Sequence, residues 1–183
     1  MIEGTIRLVE APMATTASTD DLLAAFGRCR GRGYVMALHI TGVAEDAADV
    51  VQEAYLAARR HLSGYRGEGA LEAWLLKIVV NRALRVRRRR GLLDRVAQLL
   101  AREPSAPGPA ADWLVGCSEE LRWLGRALGR LPARQRAAFV LRHAHELPLA
   151  EVARLMGLSV PTVKTHLLRA TERLRREAHR SRR

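Results

Sequence analysis

The stretch from Leu131-Pro132 to Arg176, LPARQRAAFVLRHAHELPLAEVARLMGLSVPTVKTHLLRATERLRR, constrains the fold of this chain more than any other. It reads as three amphipathic helices broken by sharp turns. Leu147-Pro148 opens a short helix carrying Val152, Ala153, Leu155 and Met156. Gly157 can leave that helix with positive φ, and the Ser159 hydroxyl can cap the next one. Pro161 is tolerated in a first turn, where its missing N–H is not needed. Val163, Leu167, Ala170 and Leu174 recur at helical spacing and predict one buried stripe; Thr162, Lys164, Thr165, Leu168 and Arg169 face away from it. A short helix, a glycine turn and a capped second helix with a basic outer face make the helix-turn-helix arrangement that enters a DNA major groove. A plain three-helix bundle with a solvated basic face fits the periodicity too. The Gly157-Leu158-Ser159 turn, the small Ala153 and the basic outer face favour DNA.

The rest of the chain is helical in character as well, so the predicted fold class is all-α. No period-two run is sustained, and Ala, Leu, Arg and Glu are good helix formers. Hydrophobic residues make up 48% of the 183 positions but aromatics only 4%, so aliphatic and Ala packing must fill the cores. A formal charge of +12 with a pI near 11.2 points to a polyanionic partner.

The stretch Glu103-Pro-Ser-Ala-Pro-Gly-Pro-Ala-Ala111 is the one concentrated Pro/Gly/Ser/Ala tract, and it predicts a flexible linker, 91–117, between two small helical domains. The first domain covers 20–90 and the second 118–178, between a poorly ordered leader, 1–19, and a basic tail, 179–183. Leu92–Leu100 is expected to add a helical turn or two inside the connection. Fully stretched, a linker of roughly 25 residues reaches about 80 Å. Two modules so joined could touch one duplex about two turns apart, at ~35 Å per turn. Met13 is a second candidate start.

In the first domain Val43, Ala47, Val50, Val51, Ala54, Tyr55 and Ala58 mark a buried helix face. Its other side shows Glu45, Asp49, Gln52, Glu53 and Leu56. An acidic face with an outward Leu suits a protein partner with a basic groove better than DNA, and an ordinary solvated face is the plainer reading. After a glycine-containing loop, Ser63–Gly69, a further helix is predicted from about Leu71 to Arg90, with Leu71, Leu75, Ile78, Val79 and Val86 inward. Trp74, Lys77, Asn81, Arg85 and Arg88 form a second stripe, continued by the run Arg87 to Arg90. An amide and an indole among guanidinium groups can contact exposed bases while the arginines hold phosphates. Trp74 fits a core position equally well.

These pieces, in this order, resemble the bacterial RNA polymerase sigma factors of the sigma-70 family, in the compact extracytoplasmic-function (ECF) group. The segment DAADVVQEAYLAARRHLSGYRGEGALEAWLLKIVVNRALRVRRRR resembles the family's region 2, and LPARQRAAFVLRHAHELPLAEVARLMGLSVPTVKTHLLRATERLR its region 4. The resemblance covers nearly everything from Asp20 to Arg176 except the linker.

That resemblance implies a transcription initiation factor that binds core RNA polymerase and directs it to promoters, as an alternative factor answering stress or another signal. It implies that Asp49, Gln52, Glu53 and Leu56 grip the polymerase. Tyr65, Arg66, Trp74, Lys77, Asn81, Arg85 and Arg88 would open and read the minus-ten promoter element as a melted strand. Val160, Pro161, Thr162, Lys164, Thr165, His166, Leu168 and Arg169 would read the minus-thirty-five element in double-stranded DNA. An anti-sigma protein is a further candidate partner. The chain departs from the family's pattern at Ala48, where an acidic residue is common, at Arg59, which replaces an aromatic, and at His166, where Arg is usual.

A two-domain helix-turn-helix regulator acting without polymerase is the second reading. A DNA enzyme has little support. His39, His61, His143, His145, His166 and His179 form no ligand or catalytic set, and Asp20 reads as a helix cap. No catalytic residue, metal or cofactor is therefore expected. Cys29 and Cys117 match no metal spacing or redox pair and read as buried reduced thiols. With no membrane-spanning run and no signal-peptide layout, the expected location is cytoplasmic, without membrane insertion.

Overall fold

The computed structural model describes residues 17–67, 70–100 and 118–181, and within these the regular structure is helical throughout. The leader to residue 16, the tract 101–117 with Cys117, and Glu68-Gly69 lie outside the described residues.

Helix α1, Thr19–Thr41, is capped by Ser18 and not by Asp20. The Ser18 hydroxyl accepts from the Asp21 N–H at 3.1 Å while the Asp21 carboxylate accepts from the Ser18 N–H at 2.9 Å. This reciprocal pair satisfies two orphan donors, whereas Asp20 is already inside the first turn. Gly42 ends α1 at φ +85°, its N–H returning to Leu38. Helix α2, Ala44–Arg60, follows, then a 3-10 turn at Leu62–Gly64 and helix α3, Leu71–Leu100.

Helix α3 does not stop at Arg90. Gly91 costs about 1 kcal/mol against Ala in a helix interior. The residues after it, Leu92 to Leu100, are mostly good helix formers, and the first proline downstream is Pro104. The inward set on α3 also differs from the apolar spacing: Leu75, Leu76, Val79, Val80, Ala83 and Leu84 are buried, while Leu71, Ile78 and Val86, expected inward, are only partly buried. The cause is that α3 is covered from several sides, by α1 and α2 and again by helices of the second module.

The second module contains α4 (Glu119–Gly129), α5 (Ala133–His143), α6 (Leu149–Met156) and α7 (Val160–Ser181). Gly157 has φ +63°, and Ser159 accepts from the Thr162 N–H at 3.4 Å, so the turn chemistry inferred from sequence is realised. Leu141, Val152, Leu155 and Val163 are fully buried, each stabilising by about 1.5–3 kcal/mol on removal from water.

The modules dock, and their cores merge into one apolar cluster. α5 packs on α1 and α3, and α6 on α3. Asn81 Nδ2 donates to the Leu155 carbonyl at 3.1 Å, Arg136 Nε donates to the His39 carbonyl at 2.7 Å, and an Arg87 guanidinium N–H donates to the Gly129 carbonyl. All three acceptors sit in the last turn of a helix, where carbonyls lack an intrahelical donor. Each module thus caps helix ends of the other.

Candidate nucleic-acid and partner surfaces

On α2 the apolar positions Ala47, Val50, Val51, Ala54 and Ala58 are committed to the core. The opposite side leaves Asp49, Gln52 and Glu53 exposed together with Leu56, half of whose surface is open at 51%. Glu53 is set apart by an ion pair to Arg82 of α3 at 2.6 Å. Asp46 is similarly tied to Arg90 at 2.5 Å. The acidic side chains not spent on α3 are therefore Asp49 and, nearer the helix start, Glu45. Ala48 and Arg59, where the chain departs from the family pattern, are also exposed.

Trp74, Lys77, Asn81 and Arg85 line one depression of about 450 Å³ on α3, closed on its other side by Ala57 and His61 of α2. Tyr65 packs against Trp74 with ring centroids 5.6 Å apart and planes tilted by 50°, so the loop and the helix bring two aromatic rings together. Trp74 is half-buried, which reconciles the core and platform readings: one edge packs and the other is open. Arg66 is exposed on the loop. Arg88 lies a turn further on and borders a different cavity at the module seam. The Asn81 amide is held in place from both ends of its reach, by Lys77 in its own helix at 2.8 Å and by Leu155 across the seam.

On α7, Pro161, Lys164, Thr165, Leu168 and Arg169 are exposed, with Leu168 open at 61%. Thr162 is partly covered and shares a 2.8 Å hydroxyl contact with Ser159. Thr165 donates to the Pro161 carbonyl at 3.1 Å, which engages its hydroxyl within the helix. Val160 is half-buried against the core. His166 is not part of this outward group. Both its ring nitrogens are buried without a hydrogen-bond partner among the described residues, and it borders the seam beside Arg134. Burial, with Arg134 and Arg169 nearby, lowers its pKa and favours the neutral ring.

The seam itself was not visible in the sequence. His39 and His145, 106 positions apart, meet with Nδ1 and Nε2 at 3.1 Å. Burial first, then each other's proximity and Arg32, push His145 down to about 4; burial and Arg136 lower His39. Arg136 is 3% exposed, and burial together with Arg87 pulls it down to about 9. The signal for Arg136 was present but unspecific: Ala133 and Val140, its neighbours on one face of α5, are apolar. Cys29 is buried and its thiol is pushed up chiefly by burial. Among the described residues no three His, Cys, Asp or Glu side chains converge as metal ligands, and no helix is long and apolar enough to cross a membrane.

Known proteins share these features. The family description "Sigma-70 region 2" matches residues 26–92 and "Sigma-70, region 4" matches residues 121–174. The ECF RNA polymerase sigma factor SigM of Mycobacterium tuberculosis is 37% identical over 136 residues, 72% of this chain and 64% of that protein. The chain therefore matches somewhat under two thirds of SigM's length. The ECF RNA polymerase sigma-E factor of Escherichia coli is 35% identical over 135 residues, 69% of this chain and 71% of the relative. The fold is shared with the sigma factor RpoE of Bartonella quintana, solved with the anti-sigma factor NepR. That match has a TM-score of 0.63 at 24% identity and covers 87% of this chain and 98% of the other. With both regions matched and a relative 35% identical over 71% of its own length, the chain belongs to the ECF RNA polymerase sigma factors of the sigma-70 family.

Proposed function

We propose that this chain binds core RNA polymerase and directs it to specific promoters, as an alternative initiation factor answering stress or another signal. The observation that carries this reading is the outer face of α2. A basic chain of +12 keeps Asp49, Gln52 and a half-open Leu56 exposed together on one helix face. A protein that only bound DNA would gain nothing from that patch, whereas a protein partner with a basic groove would.

In this reading the α3 depression with Tyr65 and Arg66 holds bases of the melted minus-ten element, and the outer face of α7 reads the minus-thirty-five duplex. Bond formation belongs to the polymerase, so the chain itself is not an enzyme, and it works in the cytoplasm. The solved relatives RpoE and CnrH are complexed with the anti-sigma factor NepR and with the cytosolic domain of CnrY, which supports a protein inhibitor as a further partner here. Run-off transcription with purified core enzyme on a promoter library tests the proposal. Chain-dependent transcripts from a defined promoter class are expected. Duplex binding without any core-dependent transcription would leave the regulator reading instead.

A further inference from the structure

On the outer face of α7 the exposed residues Pro161, Thr165 and Leu168 follow one another at helical spacing and form one strip. Leu168 is as open as any large apolar side chain among the described residues. A lone exposed leucine needs no explanation, but this one continues a strip whose neighbouring hydroxyls are already engaged. Thr165 donates to the Pro161 carbonyl, and the Thr162 hydroxyl meets that of Ser159. Glu172, exposed about a turn beyond Leu168 on the same side, ends the strip with a carboxylate. Contact with a polyanion is thereby confined to the first two turns or so of the helix.

Cations stand on both edges of the strip. At 3.6 residues per turn, Lys164 and Arg169 fall roughly 70° to either side of its centre, and both are exposed. The face therefore has an apolar middle and basic margins. A DNA major groove has the complementary layout. Phosphates run along its rims, and its floor carries one apolar group, the 5-methyl of thymine. Every other feature of that floor is a hydrogen-bond donor or acceptor, which a leucine would desolvate without replacing the lost bond. A protein partner would also cover a leucine, but basic margins on a chain of +12 fit a polyanion.

We infer that Leu168 is a specificity-determining residue that recognises thymine in double-stranded DNA through its 5-methyl group. Lys164 reaches a base acceptor on one side of this contact, and Arg169 a phosphate on the other. Lys164 and Leu168 lie one turn apart, about 6 Å along the helix, so the base pairs they reach are about two steps of 3.4 Å apart. The inference rests on the proposed reading of the minus-thirty-five duplex by α7, and it adds which base and which atom Leu168 selects. This face is open while the modules are docked, so the full chain presents it.

The probe is the duplex recovered when random-sequence DNA is selected by the full chain, both alone and assembled with core RNA polymerase. Each thymine of its minus-thirty-five segment is then replaced singly by deoxyuridine, which pairs in the same way and lacks only the methyl. At one or more positions affinity should fall about fourfold, the effect of one buried carbon group. Leu168→Ala should bind the thymine and uracil forms equally at those positions. The side chain is exposed, so helical circular dichroism should be unchanged. Selection of a defined sequence that tolerates uracil at every position would overturn the inference and leave the promoter-reading proposal standing. A methyl preference that persists in Leu168→Ala would overturn it too. So would a Leu168→Ala chain that keeps its full DNA affinity but loses capture of core polymerase, which would assign the leucine to a protein. If neither selection enriches any sequence, the reading of duplex by α7 falls, and the methyl contact with it.

Discussion

Gly42→Ala and Gly157→Ala form a matched pair that tests how the modules are held together. Both glycines close a helix in the left-handed region, at φ +85° and +63°. Forcing Ala into that conformation costs about 1–2 kcal/mol at either site. The surroundings differ. A Cβ on Gly157 meets open space, whereas a Cβ on Gly42 falls 2.9 Å from Arg136 Nη2, 3.2 Å from Nη1 and 3.4 Å from Cζ. The guanidinium lies across Gly42, and because Arg136 is buried it has no solvent to swing into. It must slide away from the His39 carbonyl that its Nε contacts at 2.7 Å. A hydrogen bond to a charged group is worth about 1.5–3 kcal/mol. Gly42→Ala should therefore destabilise the chain by about 2.5–5 kcal/mol, and Gly157→Ala by only about 1–2. Urea unfolding followed by helical circular dichroism measures both, and energy transfer between dyes on exposed positions of α2 and α7 reports docking. In an Arg136→Ala background the cost of Gly42→Ala should fall to that of Gly157→Ala. Equal costs for the two single variants, or an undiminished Gly42→Ala cost in that background, would refute Arg136 as the tie between the modules.

Four other outcomes are expected. Asp49→Ala with Gln52→Ala should reduce capture of core polymerase in a pull-down while leaving helicity unchanged, since both side chains point away from the core of α2. Asn81→Ala, assembled with core enzyme, should still bind promoter duplex but open it poorly by permanganate footprinting, and a pre-melted template should partly restore transcripts. Replacing Lys164 should change the preferred minus-thirty-five sequence in a binding selection, at about 1–3 kcal/mol if it makes a bidentate base contact. Acid should loosen the seam: His145 is depressed to about 4 and His39 is also lowered, so both rings are neutral when packed. Groups with depressed pKa that are neutral when folded take up protons on release. The stabilisation is thus present above the usual histidine pKa and fades as pH falls from about 6.5 toward 4. Energy transfer should drop by pH 5, where the cost from His145, with the repulsion from Arg32 included, is about 1–2 kcal/mol. A flat profile would exclude the histidine pair from docking.

What could be read from the sequence was what the chain states locally. The turn at Gly157 and Ser159, the stripe Val163, Ala170 and Leu174, and the two faces of α2 each depend on neighbours within a turn or two, and each was legible. The length of α3 was not: Leu92–Leu100 reads as a separate turn or two in the connection, whereas the helix runs on through Gly91 because the residues beyond it favour helix. The extra buried positions Leu76, Val80 and Leu84 escaped for a related reason: a helix wrapped on several sides loses the one-sided periodicity that betrays a buried face. Arg136 with His39 and His145 with His39 lie 97 and 106 positions apart. No spacing rule reaches that far. His166 was placed with the DNA readers by the family resemblance, but in the fold it borders the seam cavity together with Arg87, Arg88 and Leu92 of α3.

The arginines along that seam have one more consequence, for ionic strength. Docking brings Arg87 and Arg88 of one basic module toward Arg134 and Arg136 of another, so the modules repel over distances of several ångströms. Mobile ions screen such long-range repulsion, with a Debye length of about 8 Å near 0.15 M. They hardly touch the buried hydrogen bonds to Leu155, His39 and Gly129. Added salt should therefore tighten docking, while it releases the same chain from DNA by weakening phosphate contacts. The two equilibria respond to one solute with opposite sign.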